Sequence, residues 1–104
     1  MHGITIRYLQ EYIKGKNIDT KDKDFIINKL SEEVSELIEA ISNNPNRATE
    51  DNIKGSIEEE ICDVISACLI IANSYDIDVE KWIPIKEKIH NEKWSNKVVF
   101  DPGY

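Results

Sequence analysis

The chain has 104 residues, 40% apolar and 32% charged, a balance that suits one globular domain spanning 1–104 and leaves no room for a second. Twenty acidic against thirteen basic residues give a net charge of −7, which argues against unaided nucleic-acid binding. Four glycines and three prolines are too few for a loop-rich β-sandwich.

The apolar period is helical nearly everywhere. A first helix is expected from about Ile4 to Lys14, with Ile6, Leu9 and Ile13 on one side. Gly15 to Thr20 breaks it. Asp19, Asp22 and Asp24 lack the central glycine and ligand spacing of a calcium loop, so they read as joint and helix-start residues. A second helix is expected from about Asp22 to Asn43, with a stripe of Ile26, Ile27, Leu30, Val34, Leu37, Ile38 and Ile41. Asn43, Asn44, Pro45 and Asn46 end it, since Asn and Pro favour turns.

A third helix runs from about Ile53 to Tyr75. Ser56 and Glu59 either form a capping box at its start or lie within a helix that begins near Asn52. From Ile61 to Ala72 this helix is apolar almost all round, which predicts burial on all sides, one of them against a second subunit. Cys62 and Cys68 point apart on different turns and cannot pair, so they read as buried free thiols in a reducing cytoplasm. The stretch is too short to cross a bilayer, and no signal peptide is visible at the N-terminus. A fourth helix is expected from a cap at Asp78 to about Asn96, with Pro84 either kinking it or marking a restart. Residues 98–104 read as a C-terminal arm. The expectation is therefore an all-α, soluble, cytoplasmic four-helix bundle without membrane contact.

Position separates the acids. Glu32 and Glu39 fall opposite the stripe of the second helix and read as solvated charges, while Glu33 and Glu36 fall one turn apart on its shoulder. On the third helix Glu60 and Asp63 repeat that spacing. If the two helices pack antiparallel, the two pairs face each other. A carboxylate held in such a groove is costly unless paired or metal-bound. An oxygen-only set favours Mg²⁺, with Mn²⁺ as a substitute. The bland alternative is a solvated acidic face on an ordinary bundle. A di-iron bundle, which takes Glu-x-x-His from two helices, is set aside.

The segment Lys29-Leu30-Ser31-Glu32-Glu33-Val34-Ser35-Glu36-Leu37, followed by Glu59-Glu60-Ile61-Cys62-Asp63-Val64, resembles the MazG-like, all-α nucleoside triphosphate pyrophosphohydrolases. Their ExxE, spacer, ExxD pattern is matched by Glu33, Glu36, Glu60 and Asp63, with Lys54-Gly55-Ser56 ahead of the second motif. The resemblance covers roughly residues 4–97. It implies Mg²⁺-dependent cleavage of a (d)NTP to the monophosphate and pyrophosphate, with those four residues as metal ligands and Glu36 as the expected general base. It also implies substrate contacts on the last helix, where Lys86, Lys93 and Trp94 fit the family's pattern. His90, with Asn91 beside it, stands where the family has Asn. Tyr8, Tyr12, Phe25, Trp82 and Trp94 are candidate base stackers, each more simply read as core or interface. A homodimer or homotetramer is expected. The competing reading is a helical dimerisation or adaptor module whose site has decayed.

Overall fold

The structure, a computed structural model, describes residues 3–16, 22–42, 44–94 and 100–101, with backbone alone for 91–94. Four helices and no strand occur among the described residues: α1 (Ile6–Lys14), α2 (Lys23–Ile41), α3 (Ile57–Ser74) and α4 (Val79–Trp94). All but Phe100 and Asp101 of the expected C-terminal arm lies outside the described residues, as does Asp19. None of these helices is long and apolar enough to cross a membrane.

Side-chain caps set the boundaries. Thr5 Oγ1 accepts from the Tyr8 amide and starts α1 two residues later than expected. Asp22 Oδ1 accepts from the amides of Asp24 and Phe25 and starts α2. The choice at α3 falls to the cap: Ser56 Oγ accepts from the Glu59 amide, so the helix begins at Ile57, not near Asn52. Glu59 Oε1 completes the box one residue early, accepting from the Gly55 amide at 2.9 Å. Gly55 has φ +70, the left-handed region that favours glycine. At the other end of α3, the amides of Asp76 and Ile77 donate to the carbonyls of Asn73 and Ala72. That is a Schellman ending, with Asp76 at φ +54 in the place glycine usually takes. α4 runs through Pro84 as one helix, although proline removes the amide that would bond the Glu80 carbonyl.

α3 is the central element and packs along both α2 and α1. Ile13, Ile26, Leu69 and Ile70 form the core, with Ile6, Leu9, Ile71 and Val79 against it. The α2–α3 hairpin is closed by Asn46. Its amide donates to the Ala40 carbonyl, its carbonyl accepts from the Ile57 amide, and its side chain donates to the Gly55 carbonyl. Glu58 pins the same loop, taking the Arg47 guanidinium on Oε2 and the Ala48 amide on Oε1, each at 3.0 Å. These two bonds hold the Glu58 carboxyl down at about 2.

α4 packs against α1. Gln10, which is buried, joins three elements. Its Nε2 donates to Asn73 Oδ1 and the Ile77 carbonyl, and its Oε1 accepts from the Val79 amide, the first of α4. Asn73 returns a bond to the Gln10 carbonyl. Outside, Arg7 forks onto Asp78 and Glu80 at 3.0 and 2.8 Å.

One expectation needs correction: Cys62 and Cys68 are exposed free thiols, not buried ones. Within one chain Ile61 and Ile65 of α3 stay exposed, because α1 packs around Leu69 and Ile70 in its C-terminal half. On α2 the buried line is Ile26, Glu33 and Ala40, while Ile27, Val34, Ile38 and Ile41 face outward.

Replacing Gln10 by Ala strands a buried amide and two acceptors and is expected to lower stability by about 2–3 kcal/mol. Chemical denaturation checks this, and an unchanged midpoint contradicts it. Glu58 has a depressed folded pKa, so its contribution is present above the unfolded value near 4.3 and fades as pH falls toward 2. Glu58→Gln is therefore expected to lower the melting temperature at pH 7 and to leave it unchanged near pH 2.

Candidate metal centre

The antiparallel pairing of α2 and α3 brings the two acid couplets together. Oxygens of Glu33, Glu36 and Glu60 lie within 4.8 Å of one another, and so do oxygens of Glu59, Glu60 and Asp63. Glu60 belongs to both groups. Glu36 acts electrostatically on Glu60, and Glu33 on Asp63, so the couplets face each other in antiparallel register. Small residues allow this approach, since Ala40 on α2 and Ala67 on α3 are buried on the same faces as the acids.

Burial makes the arrangement costly. Glu33 and Glu60 are each only 6% exposed. One oxygen of each, Glu33 Oε2 and Glu60 Oε2, is buried without a hydrogen-bond partner. Water does not reach these atoms, and no donor among the described residues replaces it. Desolvation, then the charges of Glu36 and Asp63, push the Glu60 carboxyl above its ordinary range. Asp63 is pushed up by burial and by Glu33 and Glu59, with Lys29 opposing. The Glu33 Oε1 atom does have a partner, the Lys29 ammonium at 3.2 Å. The donor set is carboxylate oxygen alone, crowded and under-compensated. It fits a hard divalent cation, which would supply the missing charge and take the unpartnered oxygens as ligands.

The described residues at the basic end of the expected site lie elsewhere. Lys86 is exposed on α4 and pairs with the neighbouring Glu87 at 3.4 Å. His90 is exposed. The side chains of Asn91, Lys93 and Trp94 lie outside the described residues. α4 is carried by α1, so within one chain it does not form a wall of the α2–α3 groove. Among the aromatics, Tyr8 and Tyr12 stack on each other on α1, and Lys16 sits over the Tyr12 ring. Phe25 and Trp82 are exposed. Glu87 and His90 make a single Glu-x-x-His, whereas a di-iron site takes that motif from two helices. Sequence reasoning gave no role to the Lys29–Glu33 pair, although its i, i+4 spacing is a signal of contact on one helix face.

Residues 21–94 match the profile of the MazG nucleotide pyrophosphohydrolase domain. The chain belongs to that family. Two crystal structures of iMazG from Vibrio DAT 722 are similar to it, both at 31% identity. The N-terminally tagged form superposes with a TM-score of 0.76 over 89% of this chain and 100% of its own. The C-terminally tagged form gives 0.75 over 85% and 99%. No protein of curated function shows a significant match. The all-α MazG fold thus accounts for the helix order and for the two acidic motifs on consecutive helices.

The raised carboxyls give a signed pH dependence. A carboxyl whose folded pKa lies above its unfolded value adds stability below the unfolded value, and this is lost as pH rises through the folded one. Without divalent cation, the protein is expected to lose stability from about pH 4 upward through these two groups. Asp63→Asn should then melt above wild type at pH 8 in EDTA and match it near pH 4. Melting below wild type at pH 8 contradicts the assignment of Asp63 to a repulsive cluster.

Proposed function

We propose that this MazG protein is a Mg²⁺-dependent nucleotide pyrophosphohydrolase that cleaves a (d)NTP to the (d)NMP and pyrophosphate. The observation that carries the reading is the pair of buried, unpartnered oxygens on Glu33 and Glu60, one from each acidic motif of a MazG domain. Glu33, Glu36, Glu60 and Asp63 would hold the cation. Bound there, Mg²⁺ supplies positive charge for the triphosphate oxygens and lowers the pKa of a coordinated water.

The chain's own residues then have distinct tasks. Glu36 accepts the proton of the attacking water. The water oxygen bonds to the α-phosphorus, the bond from that phosphorus to the bridging oxygen breaks, and pyrophosphate leaves. Lys86 and Lys93 place positive charge at the departing pyrophosphate, and His90 and Asn91 supply polar contacts to the nucleotide. These α4 groups reach a carboxylate groove in an oligomer, as a homodimer or homotetramer. Support for association comes from exposed Ile38 and Ile41 on α2, Ile61 and Ile65 on α3, and Trp82, Ile85 and Ile89 on α4. An apolar groove of about 450 Å³ beside α2, lined by Ile27, Leu30, Val34, Ile71 and Tyr75, supports it further. A nucleoside triphosphate substrate supports a cytoplasmic location. The adaptor reading draws on the Lys86–Glu87 pair, which sets that lysine apart from the acids, but it leaves the unpartnered oxygens without a purpose.

The test is a panel of NTPs and dNTPs with Mg²⁺, read by product identity. Pyrophosphate and monophosphate are expected, and orthophosphate release or no turnover refutes the reading. Glu36→Gln and Asp63→Asn are each expected to reduce kcat by at least about a hundredfold while keeping the helical circular dichroism. Unchanged rates in both remove the site assignment.

A further inference from the structure

We infer that Lys29 is a built-in counter-cation of the carboxylate cluster, one that holds Glu33 through Oε1, leaves Oε2 as its free donor, and competes electrostatically with the divalent cation. It is a positioning residue, not a catalytic one. The inference rests on the metal-centre reading above and deepens it.

Three observations meet at this side chain. Lys29 lies one turn before Glu33 on α2, and its ammonium stands 3.2 Å from Glu33 Oε1. The Glu33 side chain is 8% exposed while that of Lys29 is 38% exposed, so the lysine reaches in from the rim and carries its charge to a buried partner. The two oxygens of Glu33 are thereby made unlike: one is bonded to the lysine, the other is buried and empty-handed.

Chemistry gives this arrangement a direction. A buried carboxylate without a cation is expensive, so a resident ammonium keeps the cluster assembled while the site is metal-free. Once a divalent cation arrives, the same ammonium is a like charge a few ångströms away and opposes it. Lys29 therefore trades metal affinity for a preformed site. An ordinary surface lysine would do neither.

Lys29→Gln removes the charge and keeps a hydrogen-bond donor, and Lys29→Arg keeps the charge. Manganese binding is measured for both by titration calorimetry, with EDTA-treated protein and Mn²⁺ alone. Lys29→Gln is expected to bind Mn²⁺ roughly tenfold tighter than wild type, and Lys29→Arg to stay within about threefold. Equal or weaker binding by Lys29→Gln overturns the inference. Thermal melts in EDTA give an independent arm. Lys29→Gln should melt below wild type, and adding it to Glu33→Gln should cause no further loss. A full loss in the Glu33→Gln background overturns the pairing. If wild type itself binds no Mn²⁺, the metal-centre reading falls, and the melts still decide whether Lys29 serves Glu33.

Discussion

The register of α2 against α3 is the constraint on which the rest of this protein depends. Asn46 sets it by bonding backwards to the Ala40 carbonyl and forwards to the Ile57 amide, tying the end of one helix to the start of the next. Ser56 and Glu59 fix where α3 begins, and Glu58 holds the loop between. With both ends tied, Glu36 comes to Glu60 and Glu33 to Asp63. A slip of one residue turns a helix face by about 100° and takes the acids out of line. The hairpin therefore works as a frame that holds like charges together against their repulsion.

Core packing pushes in the same direction. Ile26 and Ile70 seal one end of the hairpin seam, and Ala40 and Ala67 let the backbones come close beside the acids. Burial then raises the electrostatic stakes, because a carboxylate inside a seam has lost its water. Among the described residues, the Lys29 ammonium alone bonds Glu33, and one oxygen each of Glu33 and Glu60 stays without a partner. Stability and chemistry are coupled here: what strains the metal-free protein is also what would make a divalent cation welcome.

Much of this was readable in the chain. The 3.6-residue period gave four helices in the right order, and two i, i+3 acid pairs on consecutive helices pointed to facing couplets. The capping pair at Ser56 was visible, but its weight against an earlier start was not. What escaped detection was long-range or backbone-borne. Gln10 looks like any polar residue on an amphipathic helix, because its partners lie 63 to 69 residues away. Asp76 in a left-handed ending breaks the glycine rule that sequence reading relies on. Glu33 falls on the shoulder of the apolar stripe in the sequence, yet it lies in the buried line of α2 with Ile26 and Ala40. The apolar run around α3 exceeds what a nine-residue α1 covers, so Ile61 and Ile65 stay exposed within one chain.

The central claim is that the two acid couplets form one cage for divalent cations, and anomalous diffraction from a crystal grown with Mn²⁺ tests it most directly. The account predicts anomalous density bounded by Glu33, Glu36, Glu60 and Asp63, with the Oε2 atoms of Glu33 and Glu60 among the ligands. Carboxylates turned out to solvent, with no anomalous peak between α2 and α3, would contradict it.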